Sequence, residues 1–457
     1  MHTELFSEIS KIAKSIKKEK RILVVSHYDA DGLSAAGIIF NTLEALGKDF
    51  EVKIVKQLYA EEIEEIKADD SFKLFLDFGS GQYPMLRGIK KFAVLDHHLP
   101  AQNSERHANP WFFNIDGSTE ISGSGLAFFL SRKLVAEDSL AANAIVGAVG
   151  DMQDSQGKLI GLNREIAKIA VNANSLAIEK DIRLYGRASR ALPYMLCYST
   201  EPILPGLTAN PEACIRFIEE QGIELKENGR WRCYLDLTKE EKQRFVSALM
   251  MHLSSRGIPE WKLQKLIGEV YSLVKEEKGP LYDAREFATL LNACGRHGKP
   301  EIALAVASGD RGNNYKKALN LLSLHRKELR EAIEFMLEKG IEERKNFYFF
   351  NAGSNINDSI VGIVAGMLYS ALLLSNKPII AVAKNSDEFL KVSARATKEQ
   401  TMFGLHLGKI MQRICSSIDN AEGGGHDVAA GAKIPAEKLD EFLAKLEEEL
   451  GNSDNKH

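Results

Sequence analysis

The chain is short of cysteine, of long apolar runs and of positive charge, and each shortage closes off a class of protein. Its five cysteines (Cys197, Cys214, Cys233, Cys294 and Cys415) are scattered over 457 residues and never form a CxxC pair. That excludes a disulfide framework and a zinc knuckle, and a cytoplasmic, reducing setting is expected. No apolar stretch is long enough to span a bilayer, and Met1-His2-Thr3-Glu4 opens a polar helix rather than a signal peptide. No membrane partner is expected. The net charge is −4, from 59 Lys and Arg against 63 Asp and Glu. A protein that grips duplex DNA through its phosphates is basic on one face, so any nucleic-acid surface here must be a local groove. Internal repeats and low-complexity segments are lacking too.

What is present is a soluble, globular composition, 44% hydrophobic and 27% charged, long enough for two or three domains. Three strand-like runs each end on a carboxylate. Arg21-Ile22-Leu23-Val24-Val25-Ser26 leads into His27-Tyr28-Asp29-Ala30-Asp31-Gly32. Lys73-Leu74-Phe75-Leu76 ends at Asp77, and Lys91-Phe92-Ala93-Val94-Leu95 ends at Asp96-His97-His98. In open α/β sheets ligands bind outside the carboxyl ends of the strands, so these seven acids and histidines are expected to converge on one crevice.

Carboxylates so close push one another toward protonation, and a pair of divalent cations removes the conflict. Mixed Asp/His shells suit Mn²⁺, Zn²⁺ or Fe²⁺, whereas all-oxygen shells favour Mg²⁺ or Ca²⁺. Two metals about 4 Å apart activate a water and clamp both oxygens of an in-line displacement at phosphorus. Phosphoester hydrolysis is the chemistry this serves. The apolar run Ala144–Gly150 delivers Asp151 as a further ligand, because buried carboxylates are rarely left unpaired. Downstream, Gly423-Gly424-Gly425-His426 and Arg395 read as a phosphate cradle. Glycines let backbone N–H groups approach an anion, while the imidazole and guanidinium supply donors. Ser122-Gly123-Ser124-Gly125 reads as a helix cap, with N–H groups lent to substrate as the weaker alternative.

Residues 1–192 alternate strand-like and helix-like runs, as for a mostly parallel sheet with crossover helices. Residues 193–332 read as a mainly helical middle domain, with helical spacing at Lys239–Leu253, Lys262–Lys275 and Asn314–Leu329. Residues 333–450 return to α/β, with a helix at Ile360–Leu374 and a last one at Ala436–Leu450. Residues 451–457 read as a flexible tail. The basic run Lys11–Lys18 reads as a solvated helix face.

The motifs from His27 to Asp151 resemble the four successive motifs of the DHH phosphoesterase superfamily. The glycine-rich segment, with Ala429-Ala430-Gly431 after it and Ser393-Ala394-Arg395 before it, resembles that superfamily's associated domain. Arg285 to Arg296 resembles a segment of archaeal RecJ-like nucleases, including the GINS-associated nuclease; its Phe287, Leu290 and Leu291 read as core, and it receives no site role.

The resemblance implies an N-terminal DHH domain, a helical middle and a C-terminal DHH-associated domain, with the active site in the cleft between the two α/β domains. His27, Asp29 and Asp77 would hold one metal; Asp31, Asp77, His97 and Asp151 would hold the other. His98 would meet the scissile phosphate, Asp96 would orient a histidine, and Ser393, Arg395, Gly423, Gly424, Gly425 and His426 would hold substrate. The implied activity is a two-Mn²⁺ exonuclease, with Mg²⁺, Co²⁺ or Zn²⁺ as substitutes, working 5′→3′ on single-stranded DNA, with RNA a possible substrate. Such enzymes serve DNA replication and repair, and GINS and the replicative helicase are implied partners. A short-oligonucleotide or cyclic-dinucleotide phosphodiesterase shares the motifs, although the middle domain counts against it. A replisome scaffold is the non-enzymatic alternative.

Overall fold

The structure, a computed structural model, describes residues 3–56, 58, 60–102, 105–199, 202–372, 374 and 376–454. Its contacts fall into two units, one built from Met1–Ser199 and Leu204–Ser323, the other from Thr200–Ile203 and Leu324–His457.

In the first unit a five-stranded sheet runs β1 (Arg21–His27), β2 (Asp49–Val55), β3 (Phe72–Leu76), β4 (Phe92–Leu95) and β5 (His107–Ala108) along the chain. Its spatial order is β2-β1-β3-β4-β5, all parallel. Side chains alternate across a strand, and the two faces meet different cores. Ile22, Val24, Leu74, Leu76, Ala93 and Leu95 join the main core, while Leu23, Val25, Phe75 and Val94 join a smaller one on the opposite face. Burial on both sides explains why these runs are apolar without a break.

Ser26, Leu76 and Leu95 are in register, so β1, β3 and β4 deliver the residues that follow them side by side. The helix Thr3–Lys18 covers the main core with Leu5, Ile9, Ile12 and Ile16, the three- and four-residue spacing of one helical face. The helix Ala30–Ala45 is buried along most of its length.

The hydrophobic cores divide the chain differently from the expected boundaries at 192 and 332. Residues Ile182 to Leu266 form a core of their own, while Tyr271 to Leu322 contribute to the N-terminal core. The helix expected over Lys262–Lys275 is not there. A five-residue helix, Glu260–Gln264, gives way to the strand Ile267–Ser272, which pairs antiparallel with Ala177–Ile182. Ile267, Val270 and Tyr271 favour a pleated, half-buried surface, and this tertiary pairing overrides the helical spacing of the lysines.

The second unit holds a six-stranded sheet ordered Glu342–Glu343, Tyr348–Gly353, Ile379–Lys384, Phe389–Arg395, Ala429–Pro435 and Glu422–Gly425. Only Tyr348–Gly353 and Ile379–Lys384 are parallel, and the helix Val361–Ala371 connects them. The last helix, Leu439–Asp454, runs past the expected stop at Leu450 into the expected tail. Asn346 pins the helix about one turn before that stop, donating from its side chain to Glu447 O at 2.9 Å. Asn455–His457 lie outside the described residues.

Candidate metal centre

Each ligand-bearing segment is shaped by a local constraint. After β1, Asp29 caps the helix Ala30–Ala45, accepting from Gly32 N at 3.1 Å. A Cβ on Gly32 would lie 2.4 Å from His27 O, so the turn closes only around glycine. One strand over, Asp77 has a φ of 64°, a left-handed conformation costing a non-glycine residue about 1–2 kcal/mol. Its N–H still donates to Leu95 O at 2.9 Å, so the ladder is kept while its Cβ leaves the strand's alternation. Strain of this kind gathers at functional sites.

Asp96 uses both oxygens for positioning. Oδ2 accepts from Ser80 N at 2.8 Å, and Oδ1 accepts from His98 N at 3.1 Å and from His98 Nδ1 at 2.7 Å. His97 Nδ1 donates to Gly117 O at 2.6 Å, which fixes the tautomer and leaves Nε2 as the inward atom. The carbonyls of both histidines are held as well, by Trp111 Nε1 and Asn109 Nδ2, each at 2.8 Å.

The expected ligands meet. His97 Nε2 lies 3.2 Å from Asp77 Oδ1, 3.7 Å from Asp31 Oδ2 and 3.8 Å from Asp151 Oδ2. His27 Nδ1 lies 2.9 Å from Asp29 Oδ2 and 3.5 Å from Asp77 Oδ2. Two groups, His27 with Asp29 and Asp77, and Asp77 with His97 and His98, each keep their donor atoms within 4.8 Å. Asp77 belongs to both. His98, expected at the phosphate, stands close enough to be a ligand as well.

Asp31 has a second attachment. It accepts from Gly123 N at 2.6 Å and Ser124 N at 3.0 Å, at the start of the helix Gly123–Val135. Ser122 caps that helix by accepting from Gly125 N at 3.2 Å. The cap reading of Ser122–Gly125 therefore holds, and two N–H groups considered for substrate go to Asp31 instead. Asp151 follows the helix Ala141–Gly150 and accepts from Gln153 Nε2 at 3.0 Å.

Burial lifts the Asp31 carboxyl well above the usual range, with the Asp77 charge adding to it, and burial lifts Asp151 too. Burial opposes charge on Asp77 as well, but His27 and His97 more than reverse it, and its acidity increases. The imidazoles answer in kind. Burial works against their charge, yet Asp29 holds the His27 proton, and Asp151 with Asp77 holds that of His97, well above the ordinary value.

The donor set fits divalent cations. Asp77 Oδ1 is buried and makes no hydrogen bond among the described residues, an expensive state for a carboxylate oxygen unless a cation completes it. Space is reserved around it. A Cβ on Gly123 would lie 2.6 Å from Asp77 Oδ1, and one on Gly147 would lie 2.3 Å from Asp31 Oδ1.

The expected substrate-holding residues all lie in the second unit. Ser393 and Arg395 sit two apart on Phe389–Arg395 and so share a face. In register they oppose Gly431 and Ala429, and Gly431 opposes Gly424 on the edge strand. The glycines are thus an edge strand. Exposed His426 follows, its N–H donating to Ala429 O at 2.9 Å.

Several residues of the centre escaped the sequence reading. Ser80, Asn109, Gly117 and Gln153 act through hydrogen bonds to distant segments, and nothing local in the sequence marks them. Gly362 is another. A Cβ there would lie 2.5 Å from Arg395 Nη2 and 3.1 Å from Ser393 Oγ. Arg296 borders Tyr28 and Asp29; burial lowers its pKa, and Tyr28 and then Asp29 partly offset this.

Three domain families match in series: the DHH family N-terminal domain over residues 21–149, the DHH-CID domain over 184–267 and the DHHA1 domain over 345–452. The chain belongs to the DHH superfamily. The DHH-CID match coincides with the separate core of Ile182 to Leu266. An uncharacterized protein of Methanocaldococcus jannaschii is 28% identical over 464 residues, 98% of each chain.

Among solved structures, RecJ with Mn²⁺ from Thermus thermophilus superposes with a TM-score of 0.60 at 20% identity; the match covers 98% of this chain and 55% of that one. Exonuclease RecJ bound to manganese gives 0.58 at 19%, covering 99% and 96%. CDC45 from Entamoeba histolytica gives 0.62 at 15%, covering 98% and 99%. The parallel N-terminal sheet, the helical region and the C-terminal α/β domain of this DHH protein match the RecJ fold. Among the described residues, no helix is long and apolar enough to cross a membrane.

Proposed function

We propose that this DHH protein is a two-metal phosphodiesterase that works as an exonuclease on single-stranded nucleic acid, with Mn²⁺ as its metal and 5′→3′ degradation of DNA as its activity. The observation that carries the reading is Asp77: buried, strained, and common to two groups of metal-donor side chains. The likeness to manganese-bound RecJ supports the choice of metal and of nucleic acid. His27, Asp29 and Asp77 would hold one ion, and Asp31, Asp77, His97 and Asp151 the other. Such a pair, when bound, supplies an activated water and neutralises charge on the phosphate.

The chain's own groups do the rest. Asp96 fixes the His98 ring, which meets the scissile phosphate or the leaving oxygen. Ser393, Arg395, His426 and the Gly423–Gly425 edge hold the phosphate in place. The likeness to CDC45 favours a second, compatible reading in which the protein also docks on replication machinery such as GINS and the helicase.

The test is digestion of end-labelled DNA and RNA, single- and double-stranded, with Mn²⁺ or Mg²⁺. Wild type should release nucleotides from the 5′ end of single strands, and Asp77→Ala should lose at least about 100-fold in rate. Unchanged activity in Asp77→Ala would sink the two-metal assignment. Consumption of di- to pentanucleotides alone would make it an oligonucleotidase.

A further inference from the structure

The segment Arg285 to Arg296 has no part in the chemistry above, yet it touches both carboxylate-bearing turns. It forms the helix Ala284–Arg296. Arg285, Ala288, Asn292 and Gly295 follow one another at three- and four-residue steps, which keeps them on one face. At one end of this stripe Arg285 Nη2 donates to Asp154 Oδ2 at 2.8 Å. Asp154 is buried, lies in the turn that begins at Asp151, and also receives Arg183 Nη2 on its backbone oxygen at 2.8 Å and on its carboxylate. A Cβ on Gly150, just before Asp151, would lie 2.7 Å from Ala30 Cβ and 3.1 Å from Ala288 Cβ, so the helix backs the two turns where they meet.

At the other end Asn292 Oδ1 accepts from Ala30 N at 2.9 Å, between Asp29 and Asp31. A Cβ on Gly295 would lie 2.1 Å from Tyr28 O, between His27 and Asp29. The helix is tied at its start to the segment that leads into the helical core. Asp283 pairs with Arg187 at 3.3 Å, and Glu286 accepts from Ala188 N at 2.7 Å and from Ser189 Oγ.

We infer that the helix Ala284–Arg296 is a positioning element: it sets the spacing between the Asp29–Asp31 turn and the Asp151 turn. From Arg285 to Gly295 it provides a rigid rod about 15 Å long. The Asn292–Gly295 end bears on residues beside Asp29 and Asp31, and the Arg285 end on the turn that begins at Asp151. Sequence-distant ligands need such a common support, since a metal centre tolerates little error in the placement of its donors. The ties from Asp283 and Glu286 make the helical domain part of the same support. The inference rests on the two-metal reading.

The test uses full-length wild type, Arg285→Ala, Arg285→Lys and Gly295→Ala. Each is titrated with Mn²⁺ by calorimetry, melted without metal, and assayed for kcat and KM on a single strand. Mn²⁺ binding should weaken about 10- to 100-fold in Arg285→Ala and Gly295→Ala. Their kcat should fall while KM stays near wild type, and Arg285→Lys should recover part of both losses. Variants that melt earlier but bind Mn²⁺ like wild type would make the helix merely structural and overturn the inference. Should the alanine variants not fold, Arg285→Lys decides, because wild-type Mn²⁺ affinity there has the same force. Wild type that binds no Mn²⁺ overturns the metal reading itself, and this inference with it.

Discussion

At the scale of single residues, the centre holds protons among the side chains proposed to hold cations. His27 and His97 keep theirs well above the ordinary imidazole value because carboxylates surround them. A histidine whose folded pKa is raised stabilises the fold below its unfolded value, about 6.5, and that stability is lost as pH climbs through the folded value. Burial of Asp31 and Asp151 acts in the same direction, since their raised pKa values also favour the protonated fold. Metal ions must displace these protons. Raising the pH above neutral should therefore lower the melting temperature of the metal-free protein while strengthening Mn²⁺ binding. Calorimetric titration in buffers of different ionisation enthalpy should show protons released on binding; Mn²⁺ affinity flat from pH 6 to 8 would contradict the assignment.

At the scale of elements, one strand and one helix start carry Ser393, Arg395 and Gly362, the side proposed to hold phosphate. Arg395 and Ser393 crowd against Gly362, and a methyl group there would meet the far end of a flexible side chain. Gly362→Ala should thus cost little stability, less than about 1 kcal/mol, while raising KM for a single strand several-fold and leaving Mn²⁺ affinity unchanged. Arg395→Ala should do the same, and the double variant should be no worse than Arg395→Ala alone, since both act on one guanidinium.

The metal strands were legible in sequence because a run buried on both faces is continuously apolar, and its polar end then stands out, as at Asp77 and Asp96. The strand Ile267–Ser272 was not legible, because its partner Ala177–Ile182 lies far away in sequence and the lysines before it are spaced like a helix. The strand formed by Glu422–Gly425 was not legible for a similar reason: its pairing with Ala429–Pro435 is a tertiary fact.

At the scale of the whole molecule, ligand binding should be felt as stability. Mn²⁺ at 100 times its Kd adds about 2.7 kcal/mol to a fold that binds it only when native. Differential scanning calorimetry should show an upward shift that EDTA reverses and that Asp77→Ala lacks. The order of domains could be read from pattern changes along the chain, but the way Tyr271 to Leu322 return to the N-terminal core could not, since apolar residues do not announce which core they join.

The two N–H bonds to Asp31 have a consequence for how this fold ages. That side chain closes a helix start as well as serving as a proposed metal ligand, so its loss would strand two buried donors at about 1–3 kcal/mol each. Partly exposed His27 carries no such double duty. A descendant freed from catalysis should let that histidine drift while keeping Asp31 and the helix cap Asp29, and a retired copy could be recognised by acids retained beside a lost histidine.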